Sequence, residues 1–214
     1  MLKIKTFVVN MVEENCYVLS DETREAVIID DGSFVRGEHE AIDQYLSREN
    51  LKLKYVLNTH GHFDHTMGNA YLYEKYKLKP RMAAADADMY TDTSLQIQVI
   101  LGHRIDIKVA PLGKPLNEGD VISFGTHQLK VISVPGHTPG GLCYYCKSEN
   151  ILFSGDSLFL QSVGRTDLPG GNMLDLINNL KAKILTLPPI TKVYPGHGPT
   201  TTIQQEQNLN PYLR

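Results

Sequence analysis

The chain has 214 residues, 42% of them hydrophobic and 21% charged, an ordinary balance for a globular protein with a sizeable core. Its net charge of −3 gives no positive field to draw it to nucleic acid, and no apolar run approaches the roughly 18 residues that span a bilayer. The first residues lack the apolar stretch and cleavage site of a secretory signal, and three cysteines, Cys16, Cys143 and Cys146, give no disulfide framework. A cytoplasmic protein with neither a nucleic-acid nor a membrane partner is expected.

In chain order, residues 2–9, 16–20 and 25–30 carry the β-branched and aromatic content of strands, separated by polar turns. Residues 36–49 read as a helix with Ile42, Tyr45 and Leu46 on one side. A short strand over 54–59 runs straight into a histidine cluster, and a helix is expected from 66 to 77, stopped before Pro80. Residues 86–101 read as weakly patterned helix. Strands return at 121–124, 127–134, 142–146 and 151–154. The clearest helix covers 172–187: apolar residues recur every three or four positions, Asn172 is placed to cap it, and Pro188-Pro189 stop it. With no linker or low-complexity segment, this order predicts one α/β (α+β) domain over 1–214, two sheets packed together with helices outside. The repeated Pro-Gly-His at 135–137 and 195–197 hints at two similar halves, each giving one histidine to a shared cleft.

Five of the eight histidines fall in three short motifs. In an extended segment, positions i, i+2 and i+4 point the same way, so His60, His62 and Asp64 are expected on one face, with His65 turning in from the following helix. His137, Asp156 and His197 each sit just past an expected strand, where a sheet can hold them and a loop can expose them. Five imidazoles and two carboxylates suffice for two divalent cations sharing one carboxylate, Asp156, with a hydroxide between them, the arrangement of two-metal hydrolysis. Imidazole and carboxylate donors suit zinc, iron or manganese alike and do not name the ion; zinc is the expected one, with iron or manganese as alternatives. Asp30, after its strand, is either a turn former or a partner orienting a ligand histidine. Cys143 and Cys146, in one strand, should diverge.

Together these residues resemble the metallo-β-lactamase superfamily: a strand-ending Asp30, Thr59-His60-x-His62-x-Asp64-His65, Gly136-His137, Gly155-Asp156 and Gly196-His197. The resemblance implies an αββα sandwich. It implies one metal on His60, His62 and His137, a second on Asp64, His65 and His197, and Asp156 bridging both. Within the superfamily the chain looks like the short glyoxalase II-like (hydroxyacylglutathione hydrolase-like) thioesterases. The features are Gly136-His-Thr-Pro-Gly140, Gly164-Arg-Thr-Asp-Leu-Pro169, Pro195-Gly-His-Gly-Pro199 and the tail Glu206-Gln-Asn-Leu-Asn-Pro211. It departs from the pattern at Gly141, where many relatives have histidine, and at Asp31, where proline is common. Only 17 residues follow His197, where larger glyoxalase II enzymes continue into a helical domain that helps bind glutathione.

The expected reaction is hydrolysis of a small-molecule thioester such as S-lactoylglutathione, by a hydroxide held between two metals, with Asp64 accepting a proton. Arg165 is the candidate anchor for a substrate carboxylate. The competing reading is a persulfide dioxygenase with one iron on His60, His137 and Asp156; it shares the Gly164–Asp167 segment, but its final motif usually reads Pro-Ala-His-Asp. A true β-lactamase typically lacks the bridging aspartate, and nucleases of this fold usually carry an additional RNA-gripping domain.

Overall fold

The computed structural model describes residues 1–214, with the side chains of all but 100 and 101. β1 (Lys3–Val9), β2 (Glu14–Ser20), β3 (Glu25–Ile29) and β4 (Lys52–Leu57) form a four-stranded sheet in that order. The first three strands pair antiparallel, and β3 pairs with β4 in parallel. A parallel step needs a crossover, which α1 (Arg36–Arg48) supplies. After β4 come α2 (Asn69–Tyr76), α3 (Ala87–Thr91) and α4 (Thr93–Leu101).

The C-terminal part begins with β5 (Val121–Phe124), β6 (His127–Ser133), β7 (Leu142–Cys146) and β8 (Ile151–Gly155). A small hairpin, β9 (Leu158–Phe159) and β10 (Ser162–Val163), leads to α5 (Met173–Asn179). Then follow β11 (Lys192–Pro195), β12 (Thr201–Thr202) and α6 (Ile203–Leu209). The second sheet has six strands in the order β12-β11-β8-β7-β6-β5, parallel only between β11 and β8. Both sheets are mixed, and two packed sheets are what the sequence led us to expect.

The sheets meet face to face. Tyr17, Leu19, Val27, Ile29 and Leu57 of the first pack on Phe124, Leu129, Val131, Tyr144 and Phe153 of the second. The outer face of the first sheet, with Val18, Ala26 and Ile28, takes Ile42 and Leu46 of α1 and Leu72 of α2. The outer face of the second, with Cys143, Leu152 and Val193, takes Leu176 of α5, Leu180, Ile184 and Ile203. This is the αββα order. Burial on both faces explains why β2, β3 and β7 read as continuous apolar runs. Each fully buried Leu, Ile or Val contributes about 2 kcal/mol through area removed from water.

Some expectations need correction. The helix expected from 66 begins at Asn69, because Phe63–His65 first forms a 3₁₀ turn, and Thr66 Oγ1 donates to the His62 carbonyl at 3.0 Å. The helix expected over 172–187 is α-helical only to Asn179 and continues as a π turn over Leu180–Ile184. Its cap is as expected: Asn172 accepts from the Asp175 N–H at 3.2 Å. The Pro-Gly-His echo does not mark two halves, since β6 and β11 lie in the same sheet; the motif is local turn chemistry used twice. Cys143 faces the outer core and Cys146 the inner one, and all three cysteines are free. Among the described residues no helix is long and apolar enough to cross a membrane.

At the end of β6 remote from His137, buried His127 ties the two sheets together. Its Nδ1 lies 3.0 Å from Asp21 in the β2–β3 turn, and its Nε2 lies 2.9 Å from Glu149 in the β7–β8 turn. Burial opposes the imidazolium, but the bonds to Glu149 and Asp21 outweigh it and raise the pKa above its ordinary value. A raised folded-state pKa gives stability that is complete below about pH 6.5 and lost as pH rises through the folded value. The stability gap between wild type and His127→Gln should therefore narrow from pH 6 to pH 9 in thermal melts. A gap that stays constant over that range would rule out a charged His127.

Candidate metal centre

β4 ends at Leu57, and the chain enters the site through Asn58 and Thr59. The Asp30 carboxylate accepts from Thr59 N–H and from Thr59 Oγ1–H, both at 2.7 Å. With its proton committed to Asp30, Thr59 Oγ1 accepts from His60 Nδ1 at 3.0 Å, which leaves His60 Nε2 facing inward. Asn58 donates to the His65 carbonyl at 2.8 Å, closing the loop behind the cluster.

The chain stays extended only as far as His62. The 3₁₀ turn then carries Asp64 and His65 to the other side of the site, so His60, His62 and Asp64 do not share one face as the i, i+2, i+4 pattern suggests. Instead, the ligand-type atoms of His60, His62 and His137 lie within 4.8 Å of one another, as do those of Asp64, His65 and His197. Asp156, directly after β8, lies between the two groups. One of its oxygens is 3.3 Å from His65 Nε2, and the other is 3.7 Å from both His137 Nε2 and His197 Nε2.

Each outer histidine is oriented by a backbone carbonyl. His137 Nδ1 donates to Arg165 at 2.7 Å and His197 Nδ1 to Val12 at 3.1 Å, turning both Nε2 atoms inward. Two glycines make the close approach possible. Gly136 has φ +143, and a Cβ there would lie 2.4 Å from the Leu176 backbone; a Cβ at Gly164 would lie 1.9 Å from the Asp156 carbonyl.

The donor set fits divalent metal. His60 Nε2, both ring nitrogens of His65 and Asp156 Oδ1 are buried with no hydrogen-bond partner, a costly state that a cation would relieve. His62 Nδ1 and His137 Nε2 converge to 2.9 Å. Burial, then the neighbouring imidazoles, lowers the His60 pKa, and burial followed by His137 takes that of His62 to about 4, so both are neutral donors. Burial works against ionising Asp156 and Asp64, but the surrounding histidines, His65 foremost, together outweigh it and hold both carboxyls below their usual range.

Arg165 lies at the rim of a cavity of about 380 Å³ that His62, Asp64, His137, Asp156 and His197 also line. Its guanidinium forms an exposed two-point pair with Asp167, at 2.7 and 2.6 Å.

Three positioning residues were not anticipated. Asp86, fully buried, accepts from Gly61 N–H at 2.9 Å, Thr138 Oγ1–H at 2.8 Å and Gly140 N–H at 2.6 Å, so it joins the first histidine loop to the His137 loop. Gln96 of α4 accepts from Phe63 N–H at 3.1 Å and donates to the Gly61 carbonyl at 3.1 Å. Glu14 is fully buried, 3.8 Å from His65 Nδ1, and burial raises its pKa. Asp86 and Gln96 mostly serve backbone groups far away in sequence, which leaves no motif to read; the one signal was an acidic residue flanked by alanines.

The family described as the Metallo-beta-lactamase superfamily matches residues 10–197. The chain belongs to that superfamily. Its relatives include the probable metallo-hydrolase YqgX of Bacillus subtilis, 33% identical over 99% of this chain and 98% of that one. The hydroxyacylglutathione hydrolase GloC of Haemophilus influenzae is 31% identical over 99% and 98%. Among solved structures, the B3 metallo-beta-lactamase BLEG-1 is 36% identical with a TM-score of 0.87, covering 99% of each chain. TTHA1623 in a di-iron-bound form is 35% identical with a TM-score of 0.86, covering 98% of this chain and 100% of that one. The chain is thus a metallo-hydrolase of this superfamily, with a His/Asp cluster able to hold metal.

Asp86→Ala removes three hydrogen bonds to a buried charge and strands two backbone N–H groups, a loss of about 3 kcal/mol. Denaturant unfolding should record it, together with weaker metal retention during dialysis. Unchanged stability and metal content would show that the two loops hold themselves in place.

Proposed function

We propose that this chain is a thioester hydrolase of glyoxalase II type, one domain over 1–214, with two divalent ions in its site. His60, His62 and His137 would hold one ion, Asp64, His65 and His197 the other, and Asp156 would serve both; zinc is the first choice, iron or manganese the alternatives. The observation that carries this reading is the pairing of two three-residue groups with Asp156 between them. The relative GloC and the 164–169 segment turn it toward thioesters. Bound metal would lower the pKa of a shared water toward neutrality and polarise the substrate carbonyl.

The chain's own residues account for the remaining chemistry. Water adds across the acyl C–S bond, giving an acid and a thiol. Asp64 Oδ2, ionised and 3.2 Å from His197 Nε2, is the acceptor for the water's proton. Because a thiolate is a good leaving group, no strong general acid is required. Phe63, Phe159, Leu168 and Val12 give the cavity apolar walls. Arg165 can exchange its exposed Asp167 partner for a substrate carboxylate, since such surface pairs are weak.

The Gly164-Arg-Thr-Asp segment favours a second reading, a one-iron persulfide dioxygenase using His60, His137 and Asp156. The test is a panel of substrates, S-lactoylglutathione first, against protein of measured metal content. Two metals per chain with thioester turnover supports our reading. One iron with oxygen uptake on glutathione persulfide replaces it with the second, and β-lactam hydrolysis alone replaces it with a lactamase. Asp156→Ala should lose at least one metal and lower turnover by about a thousandfold or more, the scale of losing a group central to electrostatic stabilisation. Full metal content and activity in that variant would sink the two-metal scheme.

A further inference from the structure

A second cavity, of about 230 Å³, opens beside the metal centre and shares His62 and Leu168 with the cavity above the candidate ligands. Its walls come from α3, α4 and the 164–169 segment: Met89, Leu95, Val99, Leu168 and Pro169. Leu95 and Val99 stand one helical turn apart on α4, 53% and 70% exposed, so they contribute little to the core. Gln96 also lines the cleft, but its amide is spent on Phe63 N–H, the Gly61 carbonyl and, at 2.6 Å, the Met89 carbonyl. Among the described residues neither lysine nor arginine lines this cleft, and the one charged side chain is the acid Asp92.

We propose that this cleft is the specificity pocket for the substrate: it takes an aliphatic or aromatic acyl group of about six carbons from the substrate thioester. This rests on the thioesterase reading and narrows it. The size follows from volume, since an apolar cavity of about 150 Å³ holds benzene. The polarity follows from walls that offer apolar contact and no free donor to a carboxylate. A carboxylate placed in the cleft would meet Asp92, so the group that enters it is uncharged. Continuity through His62 and Leu168 lets one ligand lay its reacting carbonyl over the metal centre and its apolar group in the cleft. For that reason the occupant is part of the substrate and not a second copy of the chain.

The test uses metal-loaded protein and non-hydrolysable thioethers of N-acetylcysteamine in calorimetry. The S-hexyl compound should bind at least tenfold more tightly than the S-methyl one. Val99→Asp and, separately, Leu95→Asp, both at exposed positions, should erase the length preference without changing the thermal melt. With the corresponding thioesters, the hexanoyl-to-acetyl ratio of kcat/KM should exceed ten in wild type and fall to about one in either variant. Equal binding of S-methyl and S-hexyl overturns the pocket. So does a dimer that Val99→Asp dissociates while chain length has no effect on binding. Length-dependent binding with no thioester hydrolysed would uphold the pocket and overturn the thioesterase reading. Hydrolysis indifferent to chain length does the reverse.

Discussion

Both oxygens of the Asp30 carboxylate are committed to Thr59, and the rest of the site is arranged around that commitment. Asp30 ends β3 in a left-handed conformation, φ 54, which an aspartate tolerates better than most residues. From there it accepts from the Thr59 backbone and hydroxyl, and the hydroxyl in turn orients His60. One of the same oxygens is 3.1 Å from His65 Nδ1. A single buried carboxylate therefore orients His60 through Thr59 and lies against His65 of the other group, as partners behind candidate ligands commonly do. Glu14, close by and without a hydrogen-bond partner for either oxygen, is pushed toward its neutral form by burial.

The hydrophobic core reaches the same loops by a different route. Tyr144 of β7 and Tyr17 of β2 lie in the layer between the sheets, and their hydroxyls do not stop at packing. Tyr144 donates to the Asn58 carbonyl and Tyr17 to the Pro195 carbonyl, each at 2.6 Å. Those carbonyls stand just ahead of His60 and His197. Each tyrosine spans the apolar layer with its ring and satisfies a buried backbone acceptor with its hydroxyl. The packing of the two sheets is thereby coupled to the positions of two histidines, and a shift between the sheets would be felt in the metal centre.

Much of this was legible in the residues, and the rest was hidden for definable reasons. Strands buried on both faces gave apolar runs too distinct to miss, and the histidine, aspartate and glycine motifs marked the loops that carry the candidate ligands. Elements of two residues, such as β9, β10 and β12, are too short to show a period, and α6 is a seven-residue helix in a polar tail. The i, i+2, i+4 reading of His60, His62 and Asp64 failed because local turn chemistry overrode it: Thr66 caps the His62 carbonyl and favours a 3₁₀ turn. Asp86 and Gln96 stayed hidden because what they hold is mostly backbone, and a backbone N–H carries no sequence signature.

Gln96 shows why the centre and its surroundings cannot vary independently. Its amide accepts from Phe63, inside the first histidine loop, and donates to Gly61 in that loop and to Met89 in the wall of the apolar cleft. The helix that presents Leu95 and Val99 is therefore fastened to the loop that presents His60 and His62 by one side chain. Reshaping α4 for a different substrate would shift Gln96, and with it the two backbone groups that fix the direction of His62. Strand ends hold the chemistry common to the fold, while α3, α4 and the 164–169 segment border the space left for the substrate. Substrate choice can change freely only to the extent that Gln96 keeps its three bonds.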